Sequence, residues 1–213
     1  VGDHGTDLRD EGRLHHPTSP HNVAVDDING DSRPDLVMIN NTSFVSVFTG
    51  NANGTFNAKV DYATGSTPHD VAIADFNGDG HPDLAVVNSG ASTVSILLNN
   101  GNGTFATKVD YATGSGPDSV AIADFNGDGH PDLAVTDNGA TTPAVSILTG
   151  NANGTFNAKV DYTTGTAPWG IATGDFNGDT HPDLAVVDQG ASKVSILMNS
   201  GTGTFLTKID YTT

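Results

Sequence analysis

Residues 75–83 read DFNGDGHPD and set side-chain oxygens at the first, third, fifth and ninth positions: Asp75, Asn77, Asp79 and Asp83. Hard oxygens at alternate positions, on a chain that Gly78 and Gly80 allow to curl, suit calcium, which takes six to eight oxygen ligands in a flexible cage. A backbone carbonyl near His81 would add a donor, and Pro82 biases His81 toward an extended conformation that helps end the loop. The same nine letters return at 124–132, and near copies, DINGDSRPD and DFNGDTHPD, occupy 27–35 and 175–183. The seventh position is His81, His130 and His181 but Arg33 in the first copy. A guanidinium cannot stand in for an imidazole ligand, so the backbone carbonyl is the expected donor there.

The loop is not an EF-hand. That site needs a bidentate glutamate at its twelfth position and a helix on each side. Here the twelfth positions are Met38, Val86, Val135 and Val186, and the flanks read as strands. One Asp-Asn-Gly cluster would be ordinary turn chemistry. Four copies with the same three acids argue for a shared ligand. Ser32 and Thr180 replace the glycine at the sixth position, so the first and fourth sites are expected to bind more weakly.

The loops also account for the charge. The formal net charge is −17, and twelve of the aspartates lie in the four loops. One divalent cation per loop would bring the total to −17 + 8 = −9. A polyanion of this kind repels phosphate backbones, which argues against nucleic acid as a partner. Cysteine is absent, which removes disulfides and thiolate zinc sites, and no apolar run approaches a membrane span. Catalytic groupings are lacking too. The only glutamate is Glu11, most histidines lie in the loops or near the start, and loop aspartates holding a metal are unavailable for acid–base work. No G-x-S-x-G, H-E-x-x-H or phosphate-binding glycine loop is present. The chain is expected not to be an enzyme, and polysaccharide cleavage is the least favoured reading.

The elements that must carry these loops follow from the period. The first aspartates, Asp27, Asp75, Asp124 and Asp175, are spaced by 48, 49 and 51 residues. Each unit holds four short apolar runs bounded by turn residues; in the second they are VAIADF (71–76), DLAVV (83–87), TVSILLN (93–99) and ATKVDYA (106–112). Asn53-Gly54, Asn102-Gly103 and Asn153-Gly154, with Thr202-Gly203 last, separate the third and fourth runs and predict type I′ hairpin turns. Four antiparallel strands at a period of about 50 residues give the arithmetic of a propeller blade. The expected fold is therefore all-β: a β-propeller of four-stranded antiparallel blades at about 20–65, 66–114, 115–165 and 166–213, after a polar tail at 1–19. Lysines at Lys59, Lys108, Lys159 and Lys208 fall on the outermost runs, where they discourage edge-to-edge pairing. The segment TGNANGTFNAKVDY stands at both 49–62 and 149–162, while the second and fourth units share another hairpin. The order is ABAB, as if a two-blade segment had been duplicated and the natural array were longer.

The D-x-N-G-D-x-x-P-D loops, followed by DLAVV and VSILL and preceded by a Y-x-T-G-x-x-P entry, resemble FG-GAP/VCBS repeats over residues 20–213. Those are the repeats of the integrin α-subunit propeller and of many bacterial surface proteins. The resemblance implies one calcium ion per blade, about four in all, in the loop joining the first two strands. The implied ligands are Asp27, Asn29, Asp31 and Asp35, with the Arg33 carbonyl, and Asp75, Asn77, Asp79 and Asp83, with that of His81. In the later units they are Asp124, Asn126, Asp128 and Asp132, with the His130 carbonyl, and Asp175, Asn177, Asp179 and Asp183, with that of His181. Integrin-type propellers have seven blades. Four blades must close as a small ring, pair with another chain or belong to a larger array.

The repeats disagree most just before each first strand, at His21-Asn22, His69-Asp70, Asp118-Ser119 and Trp169-Gly170. Innermost strands surround the channel of a propeller, so these pairs should gather at one mouth. Trp169 would there either plug the channel or stack on a sugar, with His69, Asp70 and Asp118 bonding its hydroxyls. The sequence reading is thus a secreted or cell-surface, bacterial, calcium-binding module for adhesion or assembly, with a protein or glycan ligand. A lectin using the mouth residues is one alternative. A structural subunit that self-associates through its terminal blades or tail is the other.

Overall fold

The computed structural model describes residues 20–40, 42–139 and 141–213; the segment 1–19, read above as a polar tail, lies outside the described residues. Sixteen strands form four separate four-stranded antiparallel sheets, each in sequential order. Blade 1 holds β1 (Pro20–Asp26), β2 (Asp35–Asn40), β3 (Phe44–Phe48) and β4 (Val60–Ala63). Blade 2 holds β5 (Pro68–Ala74), β6 (Asp83–Asn88), β7 (Thr93–Leu97) and β8 (Val109–Ala112). Blade 3 holds β9 (Pro117–Ala123), β10 (Asp132–Asp137), β11 (Ala144–Leu148) and β12 (Val160–Thr163). Blade 4 holds β13 (Pro168–Gly174), β14 (Asp183–Asp188), β15 (Lys193–Leu197) and β16 (Ile209–Thr212). The single helical turn among the described residues is at Gln189–Ala191.

Innermost strands β1, β5, β9 and β13 pack side by side in that order, but β13 does not return to pack on β1 in the same way. The blades form an open arc with three interfaces, each an apolar cluster between consecutive sheets. Position in the arc, not sequence, sets burial. The run DLAVV at 83–87 is buried throughout, because blade 2 is covered on both faces. The same five letters at 183–187 leave Val187 47% exposed, because one face of blade 4 is bare.

The hairpins between third and fourth strands differ from the type I′ expectation. Only the glycines, such as Gly54 and Gly154, take positive φ; Asn53 and Asn153 do not. Gly54 N–H bonds to the Asn51 carbonyl, and the Asn53 side chain accepts the Thr55 N–H. The loop is one residue longer than a two-residue turn, so a type I turn ending on a left-handed glycine replaces the primed turn.

A polar ladder crosses each blade from its second to its fourth strand. In blade 2, Asn88 Nδ2 donates to Ser95 Oγ (2.8 Å), which donates to Asp110 Oδ1 (2.6 Å), and Lys108 pairs with Asp110. The edge lysines are thus ion-paired: Lys59, Lys159 and Lys208 pair with Asp61, Asp161 and Asp210 in the same way. Blade 3 has Asp137 in place of Asn88. Ser146 Oγ accepts the Gly114 N–H and lies 2.7 Å from Asp137 and 2.8 Å from Asp161. One hydroxyl proton cannot serve two carboxylates, so below about pH 6 a proton on one carboxyl completes the ladder. Asp137 is the group to hold it: it is fully buried, and burial pushes its pKa up to about 6.

Because that folded value stands above the ordinary 3.8, Asp137 favours folding at low pH and loses that contribution as the pH rises from 4 through 6. Two units correspond to up to about 3 kcal/mol. Asp137→Asn should recreate the blade 2 ladder and raise stability at pH 7 by that order. Urea unfolding at pH 5 and 7 checks it, with the gain expected to be larger at pH 7.

Candidate functional site

Each acidic loop joins the first strand of its blade to the second, and the aspartate at its ninth position is the deepest part. Asp83 is fully buried at the start of β6. Its Oδ2 accepts the Phe76 N–H (2.9 Å), and its Oδ1 accepts the Asn99 N–H (2.7 Å) beyond β7. Asp35, Asp132 and Asp183 repeat this bridge, to Ile28 and Gly50, to Phe125 and Gly150, and to Phe176 and Asn199. The carboxylate therefore fastens the loop to the blade's hairpin. Burial raises the pKa of Asp83 and takes that of Asp132 to about 6; neighbouring Asp79 and Asp75, or Asp128, add repulsion of like charge.

The first, third and fifth positions lie at the surface in a lattice of backbone bonds. Asp75 accepts the N–H groups of Gly78, Asp79 and Gly80, at 2.8 to 3.1 Å. Asp124 and Asp175 do the same in their loops, and Asp27 accepts from Asp31 and Ser32. Asn77 bonds to Asp79, and so do Asn29 to Asp31, Asn126 to Asp128 and Asn177 to Asp179. These bonds hold Asp79 below the usual carboxylate range, chiefly through Asn77, and Asp175 likewise, chiefly through the Thr180 N–H. Arg33 pairs with Asp31. Ser32 and Thr180 share the positive φ that Gly80 and Gly129 adopt freely, a strained conformation for a β-branched threonine. The His81 and His181 rings lie against Gly101 and Gly201, where a side chain would collide with them.

The donors match a hard cation: every loop offers carboxylates, one amide and backbone carbonyls, without sulfur. Among the described residues, however, no three acidic or imidazole side chains already surround one point. An oxygen that accepts one amide N–H keeps a further lone pair.

The loop's second residue was not singled out in the sequence. Ile28, Phe76 and Phe125 are buried pegs between their blade and the next, whereas Phe176, on the bare face, is 49% exposed. An apolar residue at the same position of four polar loops was the available signal.

At the inner side of the arc, where the first strands begin, the four variable pairs do gather. His21, Asn22, His69, Asp70, Asp118 and Trp169 line one hollow of about 310 Å3 together with Ser119 and Gly170. Their polar atoms link neighbouring blades. Asn22 donates to Asp70, whose other oxygen accepts from Ser119 Oγ (2.9 Å) and the Val120 N–H (3.0 Å). His69 Nδ1 lies 2.7 Å from Asp118, and that bond, against the opposing effect of burial, raises the imidazole pKa. The His21 and His69 rings lie 4.1 Å apart at a tilt of 39°, and Trp169 meets His69 edge-on with ring centroids 6.0 Å apart. Thr136, which the sequence did not suggest, bonds both the Ser119 N–H and the Trp169 carbonyl. Trp169 is 39% exposed and stands at the rim.

Four sequential four-stranded sheets packed face to face, each with an acidic loop between its first two strands, define a propeller-type repeat protein. The chain belongs to the FG-GAP-like repeat family, whose profile matches residues 27–86, 75–135 and 124–186. No curated protein sequence matches it. Among solved structures it is similar to one described as BBS1N in complex with ARL6DN, soaked with lead, at TM-score 0.65 and 16% identity over 92% of this chain and 58% of that one. It is also similar to a protein of unknown function from Bacteroides caccae, at TM-score 0.53 and 16% identity over 91% of this chain and 61% of that one. The chain thus spans less than two thirds of either structure, and at such identity the likeness is one of fold. No helix among the described residues is long and apolar enough to cross a membrane.

Proposed function

We propose that the protein is a non-enzymatic, calcium-binding propeller module that acts outside the cell in adhesion or structural assembly. The observation that carries the calcium reading is the concentration of carboxylates in the loops. Each sets three acids within nine residues, and in the second and third loops the deepest carboxyl is pushed up by burial and by its acidic neighbours. A divalent cation would relieve that repulsion and take the hard oxygens it prefers. Since the side chains do not already surround one point, binding includes their turning inward. The millimolar calcium found outside cells would fill even weak sites of this kind. The ABAB architecture and the absence of a catalytic grouping in the sequence favour a repeated structural role. Equilibrium dialysis against calcium should find about four ions per chain, with loops one and four filling last. No bound calcium at millimolar concentration would refute the reading.

A further inference from the structure

We infer that the bare face of blade 4 binds the bare face of blade 1 on a second copy of this chain, head to tail. The interface already exists inside the molecule, between blades 2 and 3. There blade 2 presents Phe76, Ala85, Val87, Val94 and Ile96 to Leu133, Val135, Leu148 and Phe156 of blade 3, all of them buried. Blade 4 carries the same residue at every matching position: Phe176, Ala185, Val187, Val194 and Ile196. Blade 1 offers Leu36, Met38, Phe48 and Phe56 where blade 3 has its four, all still apolar. The ABAB order thus makes the junction from blade 4 to another blade 1 a repeat of the junction from blade 2 to blade 3.

Six of the exposed large apolar residues, Val23, Val25, Phe56, Phe176, Val187 and Tyr211, fall where this predicts. In two of the three inner junctions a hairpin phenylalanine meets two aromatics of the preceding blade edge-on. Phe156 meets Phe76 and Tyr111, both at 5.5 Å, and Phe205 meets Phe125 at 5.5 Å and Tyr162 at 5.3 Å. The corresponding trio across the open ends is Phe56, Phe176 and Tyr211, and all three are exposed. Val23 and Val25, exposed on β1, match Val120 and Ile122, which pack against the inner junction. The hairpins agree. A side chain at Gly103, Gly154 or Gly203 would crowd the preceding blade, against Asn29, Leu98 and Asn77, or Asn126, whereas Gly54 has nothing near it. The free face of blade 1 also holds a hollow of about 390 Å3 lined by Pro20, His21, Asn22, Val23 and Met38. An interface between two different faces of one chain closes into a ring if the rotation permits and otherwise grows into a filament. Either product uses the same contact.

Phe176 belongs to the fourth loop, but the residues chosen for the test, Val187 and Phe56, lie outside all four, so the test does not rest on metal in them. The test is the solution mass of the 213-residue chain by sedimentation velocity in calcium buffer, at tens of micromolar protein. Twice the chain mass or more is expected. Val187→Lys and Phe56→Asp alter residues exposed in the single chain, and each alone should reduce the mass to one chain while leaving the circular dichroism spectrum unchanged. Mixing the two variants leaves one intact face on each, so a two-chain complex should reappear. A monomeric parent chain overturns the inference. So does assembly that survives Val187→Lys but is lost when residues 1–19 are removed, because the contact would then lie in that segment.

Discussion

Asp83→Ala is expected to destabilise the protein by about 4 kcal/mol, although the residue belongs to a surface loop. Its carboxylate is fully buried and is the acceptor for the N–H groups of Phe76 and Asn99. Truncation leaves both donors buried without a partner, at about 1–3 kcal/mol each. Asp79→Ala is the control. Asp79 sits in the same loop and belongs to the same proposed ligand set, but its bonds, to the His81 N–H and to Asn77, are exposed. Without calcium its loss should cost less than about 1 kcal/mol. Urea unfolding of both variants in chelator separates the two roles. Equal losses would mean that the ninth aspartate is no more than another loop acid.

That separation marks the boundary of what the sequence discloses. The fourfold period, the four strands per unit and the gathering of His21, His69, Asp118 and Trp169 at the inner side of the arc follow from repeat arithmetic, because every blade must place equivalent residues equivalently. The aspartate at position nine was legible as an oxygen donor and not as a buried bridge. Its second partner, the Asn99 N–H, is 16 residues away and comes within reach only when β6 and β7 pair. Asp137 carries no sequence signal that sets it apart from the other acids. Its raised pKa comes first from burial between packed strands, with Asp161 adding like-charge repulsion from two strands away. Phe125 and Phe176 occupy the same loop position and have the same neighbours in sequence, yet one is 1% and the other 49% exposed. No local pattern distinguishes them, since only the presence of a following blade does.

In an array of this kind stability is roughly the sum of each blade's own stability and its contacts with its neighbours, and the proposed calcium ions add to the first of these. Binding to the folded state contributes about 2.7 kcal/mol per site at a hundredfold excess over Kd. Two such sites alone would raise the melting temperature of a domain this size by at least about 10 °C. The most direct test of the account is therefore the melting temperature of the 213-residue chain in millimolar calcium and in excess chelator, with magnesium as the control cation. The account predicts a rise of that order with calcium and little change with magnesium, which dehydrates reluctantly and demands stricter octahedral geometry. Identical melting curves in calcium and chelator would contradict it, and the loops would then be turns that happen to be acidic.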